Sequence, residues 1–207
     1  SILEKELNLM DKGLPLALEG ESLVHNIAEF NFAEIVAKLP EPKVYDIDLS
    51  YITSRGNWYS ISWKGDIQKS GGVATNIGVH FFDMLTWIFG DVQESIVHLS
   101  ESQRAAGYLR LNRARVRWFL SVDYNDIPES TKITGKRTYR SIMMEGREIE
   151  FSEGFTDLHT NSYKQIISGQ GYGLKDARSS IQTVYSIRNA QPTGIIGDFH
   201  PFCKSKK

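Results

Sequence analysis

One cysteine, Cys203, in 207 residues excludes an intramolecular disulfide and a cysteine-based zinc site, and fits a reducing cytoplasm. The chain also lacks an excess of either charge: 24 basic and 25 acidic residues leave a formal net charge of -1. No global field draws it to nucleic acid or to an anionic membrane, so small molecules and proteins are the expected partners. No stretch approaches the roughly 18 apolar residues of a membrane span, and the N-terminus has no basic-then-apolar signal layout. Fixed-period repeats and low-complexity blocks are missing too. What remains is 41% hydrophobic, enough for one well-buried core.

Residues 1–40 read as a lead-in followed by a helix. Gly13, Pro15 and Gly20 interrupt the first 22 residues, while Leu23, Ile27, Phe30, Ile35 and Leu39 suggest a helix from Ser22 to Leu39 that Pro40 and Pro42 end. Residues 41–207 form the principal domain. Val44 to Thr53 alternates apolar and polar side chains as a half-buried strand does. Strand-like runs follow at Glu94–Ser100, Ala105–Leu111, Ala114–Asp123 and Arg137–Met144, with a short one at Glu148–Phe151. In the third of these, Val116, Trp118, Leu120 and Val122 alternate with Arg115, Arg117, Ser121 and Asp123, which predicts a sheet with one covered face. Arg110, Arg113, Arg115 and Arg117 have acidic neighbours and read as a solvated or subunit-facing surface, not a nucleic-acid stripe. Helices over Phe155–Ser168 and Leu174–Ala190 would close the domain, the second along Leu174, Ala177, Ile181, Val184 and Ile187. Between them, Gly169-Gln-Gly-Tyr-Gly173 follows a helix and its third glycine comes one residue early, so it reads as a turn and not a dinucleotide loop.

The stretch Lys69–Gly90 carries the densest chemistry. On a helical period Asn76, His80, Asp83 and Trp87 share one face, while Ile77, Phe81, Met84, Leu85, Ile88 and Phe89 supply an apolar wall. Imidazole and carboxylate pKa values are easily moved in such surroundings. Spacing alone equally permits a buried structural histidine with its hydrogen bonds satisfied. Upstream, Ser54–Asp66 reads as a loop in which Arg55 and Lys64 could hold phosphate or carboxylate, and Trp58, Tyr59 and Trp63 could stack on a sugar or base. Aromatics packed under the loop with solvated cations is the competing reading.

The element order predicts an α+β fold: an open, mostly antiparallel sheet of about six strands with helices on one face. Tyr108, Trp118, Tyr139 and Met143 leave an aromatic or apolar component on the other face, so a homo-oligomer through that face is expected.

Gly71, Gly72, Asn76, Gly78, His80 and Asp83 stand in a pattern that resembles the substrate-domain helix of the glucose-fructose oxidoreductase and inositol dehydrogenase superfamily. Tyr51-Ile-Thr-Ser-Arg-Gly-x-Trp-Tyr59, Ser62-Trp-Lys-Gly-Asp66, Thr156-Asp-Leu-His-Thr160 and Asp198-Phe-His-Pro-Phe202 are similar to its nucleotide-sugar branch. That branch comprises NAD-dependent 3-dehydrogenases of UDP-N-acetylglucosaminuronic acid that serve bacterial surface polysaccharide. The resemblance implies oxidation of a C3 hydroxyl by hydride transfer to nicotinamide. It implies His80 as the base, Asn76 orienting sugar or imidazole, and Asp83 as a supporting partner. Arg55, Tyr59 and Lys64 would bind the uronate carboxylate or the diphosphate, with His159 in the same pocket. The family's N-terminal Rossmann domain has no counterpart in this sequence, and its catalytic lysine has only a faint echo in Glu4-Lys5-Glu6-Leu7. NAD is therefore implied for the full-length family enzyme and no cofactor is expected on this chain alone. A non-catalytic association domain derived from the same family is the second expectation.

Overall fold

The computed structural model describes residues 43–150, 163–164, 166–169 and 177–204. The expected helix over residues 22–39, most of that over residues 155–168, and His159 lie outside the described residues. Six strands form one sheet: β1 (Tyr45–Thr53), β2 (Val92–Ser100), β3 (Arg104–Leu111), β4 (Ala114–Ser121), β5 (Thr138–Met144) and β6 (Arg147–Glu150), in the order β2-β3-β4-β1-β5-β6. Only β1 and β4 run parallel; the other four pairings are antiparallel. The helices are α1 (Asn57–Ile61), α2 (Ile67–Ser70), α3 (Gly72–Asn76), α4 (Val79–Phe89), α5 (Glu129–Ile133) and α6 (Arg178–Asn189). This is the expected α+β architecture; α5 was not foreseen.

Alternation on β1 and β4 sorts their side chains. Tyr45, Ile47, Leu49 and Tyr51 join Ala114, Val116, Trp118 and Leu120 in the main core. α4 lies on this face, with Phe89 against Tyr45 (ring centroids 6.2 Å), Phe81 against Tyr51 (4.8 Å) and Phe82 edge-on to Trp118 (5.4 Å). Trp118 thus belongs to the helix face, not to the outer one. α6 covers α3 and α4 through Ser180, Thr183, Val184 and Ile187. Ile181, expected in that stripe, is 55% exposed; the 3.6-residue period places the buried row one position earlier.

The Lys69–Gly90 stretch is not one helix. α2 ends at Gly71, which is left-handed at φ 78°, and α3 and α4 are separated at Ile77-Gly78. A Cβ on Gly78 would run into the Ala74 carbonyl oxygen, Leu120 Cδ1 (2.7 Å) and Phe82 Cε2 (2.8 Å). Helical periodicity holds across the break only in rough outline, because the glycine lets the backbone press against β4 while changing direction.

On the outer face, acidic and basic residues stand opposite one another: Asp46 beside Arg115, Asp48 beside Arg117, and Glu94 beside Arg110. Each pair is joined by an ion pair or hydrogen bond, Arg115 to Asp46 at 2.8 Å and Arg110 to Glu94 at 3.2 Å. The arginines form cross-strand pairs on a solvated face, as alternation predicts. The aromatic part of that face is covered by the chain's own C-terminal strap. After α6, the Thr193 amide donates to the Val97 carbonyl on edge strand β2 (2.8 Å), Phe199 meets His98, and Asp198 reaches Arg117 (3.2 Å). His200 bonds Ser50 (3.0 Å), and Phe202 packs on Phe119 and Tyr139. Beneath lies a second small core of Ile52, Ala106, Phe119 and Ile127. Among the described residues no helix is long and apolar enough to cross a membrane.

Candidate active site

The segment after β1, expected as a loop, is a pair of short helical turns. α1 is followed by a 3-10 turn over Trp63–Gly65, in which the Ser62 hydroxyl accepts from the Lys64 amide (3.3 Å). Gly65 makes the fold-back feasible: a Cβ there would sit 2.7 Å from both the Ser60 Cα and the Tyr59 carbonyl oxygen. Asp66 then caps α2, its carboxylate accepting from the Gln68 and Lys69 amides. Desolvation alone would raise its pKa, but those amide bonds and the Lys69 ammonium together outweigh it and hold the carboxyl below the usual carboxylate range.

This compact turn delivers two groups to the end of α3. The Asn76 side-chain nitrogen donates to the Tyr59 hydroxyl (3.3 Å) and to the Lys64 backbone carbonyl (3.2 Å). Tyr59 is buried at 3% exposure, and burial pushes its phenol pKa up, opposed by the Asn76 bond and the positive charge of Arg55. The Arg55 and Lys64 side chains are exposed. The Lys64 ammonium lies 6.0 Å from the Trp58 ring and 5.8 Å from the Trp63 ring, both indoles being more than half exposed. A cation flanked by accessible aromatic faces suits an anion attached to a flat ring.

His80 stands in the first turn of α4, immediately before Phe81, which packs against Tyr51. The residue is open to solvent, yet desolvation by the atoms around its ring holds its pKa below the ordinary histidine value, while the Asp83 carboxylate pulls the other way. A neutral imidazole at neutral pH is the proton-accepting form.

Tyr59, Lys64 and Asn76 are therefore joined by direct bonds, Arg55 is near enough to influence Tyr59, and Asp83 near enough to influence His80. One further cation sits at this end of the helix face. Arg140 on β5 stacks over the Tyr51 ring (4.9 Å) and donates to its hydroxyl (3.3 Å). Its signal was available in the sequence: Arg140 shares a face with Ile142 and Met144, so it breaks an otherwise apolar alternation.

No group of three or more His, Cys, Asp or Glu suited to a metal ion occurs among the described residues. Nor do they fit a dinucleotide: the segment after β1 reads Ser54-Arg-Gly-Asn57, with one glycine and no phosphate-cradling loop.

The described residues thus set α4, with His80 in its first turn, on a mixed sheet, and hold the Tyr59–Lys64 turn against the end of α3. The chain belongs to the Gfo/Idh/MocA oxidoreductase family, whose C-terminal alpha/beta domain it matches over residues 35–192. Among solved structures, it is 49% identical to the WlbA (WbpB) dehydrogenase from Thermus thermophilus in complex with NAD and alpha-ketoglutarate, covering 78% of this chain and 53% of that one, with a TM-score of 0.74. Against the Thermus thermophilus WlbA (WbpB) dehydrogenase in complex with NAD and UDP-GlcNAcA the identity is 40%, over 97% of this chain and 64% of that one, with a TM-score of 0.77. The WlbA dehydrogenase from Bordetella pertussis, in complex with NADH and UDP-GlcNAcA, shares the fold at 16% identity, 76% and 56% coverage and a TM-score of 0.51. The chain thus spans between 53% and 64% of the length of the Thermus proteins it matches.

Proposed function

We propose that this chain is the substrate-binding portion of an NAD-dependent oxidoreductase that oxidises the C3 hydroxyl of a UDP-N-acetylamino-sugar uronate, in the making of surface polysaccharide. The observation that carries it is the 40% identity, over 97% of this chain, to a dehydrogenase whose complex holds NAD and UDP-GlcNAcA. In this reading residues 41–207 bind substrate and assemble copies through the part of the outer sheet face that the C-terminal strap leaves uncovered, in the cytoplasm, residues 1–40 connect to a nucleotide-binding portion, and turnover needs that portion.

The chain's own residues divide the work. His80, neutral at working pH, accepts the C3 hydroxyl proton at a ring nitrogen, and Asp83 supports the imidazolium that results. Arg55 and Lys64 hold the carboxylate or diphosphate through charge-assisted hydrogen bonds, with the Trp58 and Trp63 faces beside them. Asn76 orients the sugar, and Tyr59 completes the wall behind it. His159 joins the same pocket. The described residues offer no dinucleotide cradle, and NAD, held by the nucleotide-binding portion, would supply the hydride acceptor.

Calorimetric titration with UDP-N-acetylglucosaminuronate tests the reading. Binding should be measurable and should weaken about tenfold or more in Arg55→Ala or Lys64→Ala, the usual cost of losing a hydrogen bond to a charged group. Absence of binding, or binding indifferent to both substitutions, would leave a non-catalytic association domain as the better account.

A further inference from the structure

The strap that follows α6 is thinly attached. Residues 191–198 are exposed and belong to no helix or strand. Among the described residues, the strap's one backbone hydrogen bond to the sheet runs from the Thr193 amide to Val97 on edge strand β2, so the ladders that join the six strands do not depend on it. The Asp198 carboxylate that reaches Arg117 is 53% exposed, and surface pairs of this kind contribute little. Of residues 191–204, only His200 is fully buried. Both its ring nitrogens are committed: Nδ1 accepts from the Phe202 amide (3.1 Å) and Nε2 donates to the Ser50 hydroxyl (3.0 Å). A second ring proton would find a donor where it needs an acceptor. Around the ring stand Phe119 and Phe202, with the Arg117 charge from β4, while β3 contributes the uncharged Ala106 to the small core beneath. The carboxylates of neighbouring elements are engaged, Asp48 and Asp198 by Arg117, and Glu148 of β6 by the Tyr139 and Ser141 hydroxyls of β5. On β2, His98 is 2% exposed and edge-on to Phe199, with no partner for its Nδ1; Asp198 is the charge acting on it.

We infer that the strap is an acid-released latch: a neutral His200 clamps it to the outer face, and protonation of that histidine frees it while the six-stranded sheet stays intact. Release carries Phe199 and Phe202 away and uncovers Ile52, Ala106, Phe119 and Ile127. The latch thereby sets how much apolar surface the outer face shows. In the open strap His200 regains the ordinary histidine pKa of 6.5, whereas burial and the Arg117 charge hold the clamped ring at about 3. The clamp is therefore complete above 6.5 and weakens as pH falls toward 3. Between about pH 7 and about pH 5.5 one such proton multiplies the open population about eightfold, and His98 adds to this as its ring is freed.

Cys203 reports the opening, because it lies on the strap and packs against the same small core. The whole chain is treated with a pyridyl disulfide, whose low-pKa leaving group lets it react below neutrality, and the Cys203 rate is divided by that of the urea-unfolded chain at the same pH. That ratio should rise about eightfold or more from about pH 7 to about pH 5.5. His200→Gln should remove most of the rise, leaving the share that His98 supplies. Amide hydrogen exchange on the parent chain, which depends on no variant folding, should show the Phe202 amide losing protection by a similar factor while the β4 amides keep theirs. A labelling ratio that does not change with pH, or a full rise retained in His200→Gln, overturns the inference. Loss of protection at Phe202 and β4 together does so too, since the event would then be unfolding of the whole domain.

Discussion

His200 should make the fold lose stability on mild acidification. Its ring lies between sheet and strap at 2% exposure. The Phe202 amide donates to Nδ1 (3.1 Å), so Nε2 carries the proton and donates to the Ser50 hydroxyl (3.0 Å). Protonating Nδ1 would set two donors face to face. Desolvation, and secondarily the Arg117 charge, depress the pKa from 6.5 to about 3. The other surroundings are Phe119 and Phe202, with Arg117 itself bound to Asp48 and Asp198. The sign follows from proton counting. Below pH 6.5 the unfolded chain takes up a proton that the folded chain refuses until about pH 3, so the stabilisation is complete above 6.5 and is lost as pH falls across that window. One proton gives a slope approaching about 1.4 kcal/mol per pH unit. Between about pH 7 and about pH 5.5, above the range where most carboxylates titrate, the loss amounts to about 1.2 kcal/mol. Urea unfolding at both pH values, for the parent chain and for His200→Gln, isolates this component. His98, also held below its ordinary pKa by burial and facing Asp198, acts in the same direction but cancels in the difference between the two proteins. A His200→Gln chain that keeps the whole pH dependence of the parent would refute the assignment.

Three other outcomes follow from the packing. Gly78→Ala should cost about 1–3 kcal/mol or more in denaturant unfolding, since its methyl group meets a carbonyl oxygen and two core side chains. When the chain is assayed with a nucleotide-binding portion, the acidic limb of kcat/KM should fall below the ordinary histidine value of 6.5, because desolvation lowers the His80 pKa, and His80→Asn should reduce kcat by about 10²–10⁴. An acidic limb above 6.5 would argue against His80 as the base. Burial raises the Cys203 thiol from 9.0 to about 11, so alkylation near pH 8 should run about a hundredfold slower than in the urea-unfolded chain, as the thiolate fraction dictates.

The sheet was legible because its strands alternate cleanly: Val116, Trp118, Leu120 and Val122 all join the core as the period of two requires. The same rule locates the arginine pairs, although which acidic partner meets each arginine depends on the parallel register of β1 and β4, which no local pattern encodes. Helical periodicity misled at Gly78, where tertiary packing against Leu120 interrupts a pattern that reads as continuous. It also placed Ile181 inward on α6, because a stripe counted from residues of similar hydrophobicity ignores Ser180 and Thr183, whose hydroxyls return to the helix's own carbonyls and are buried at no polar cost. Asn76 and His80 were legible as candidates from their residue types and spacing. The bond from Asn76 to the Lys64 carbonyl was not, since it arises from a turn whose backbone, rather than its side chains, makes the contact. The strap over the outer face was missed because its residues carry no regular period.

The place of β1 in the sheet has a consequence for how the chain folds. β2, β3 and β4 are joined by short connections and can zip together locally, as can β5 and β6. β1 precedes all of them in the chain, yet it is the strand that joins the two groups, pairing with β4 across 69 residues and with β5 across about 90. The slow step of folding should therefore be the capture of one early-synthesised strand between two hairpin units completed after it. Until that moment each unit shows an open edge to its neighbours in solution, and the window for misassembly closes only when the strand that precedes the other five in the chain becomes the last of the six to be placed.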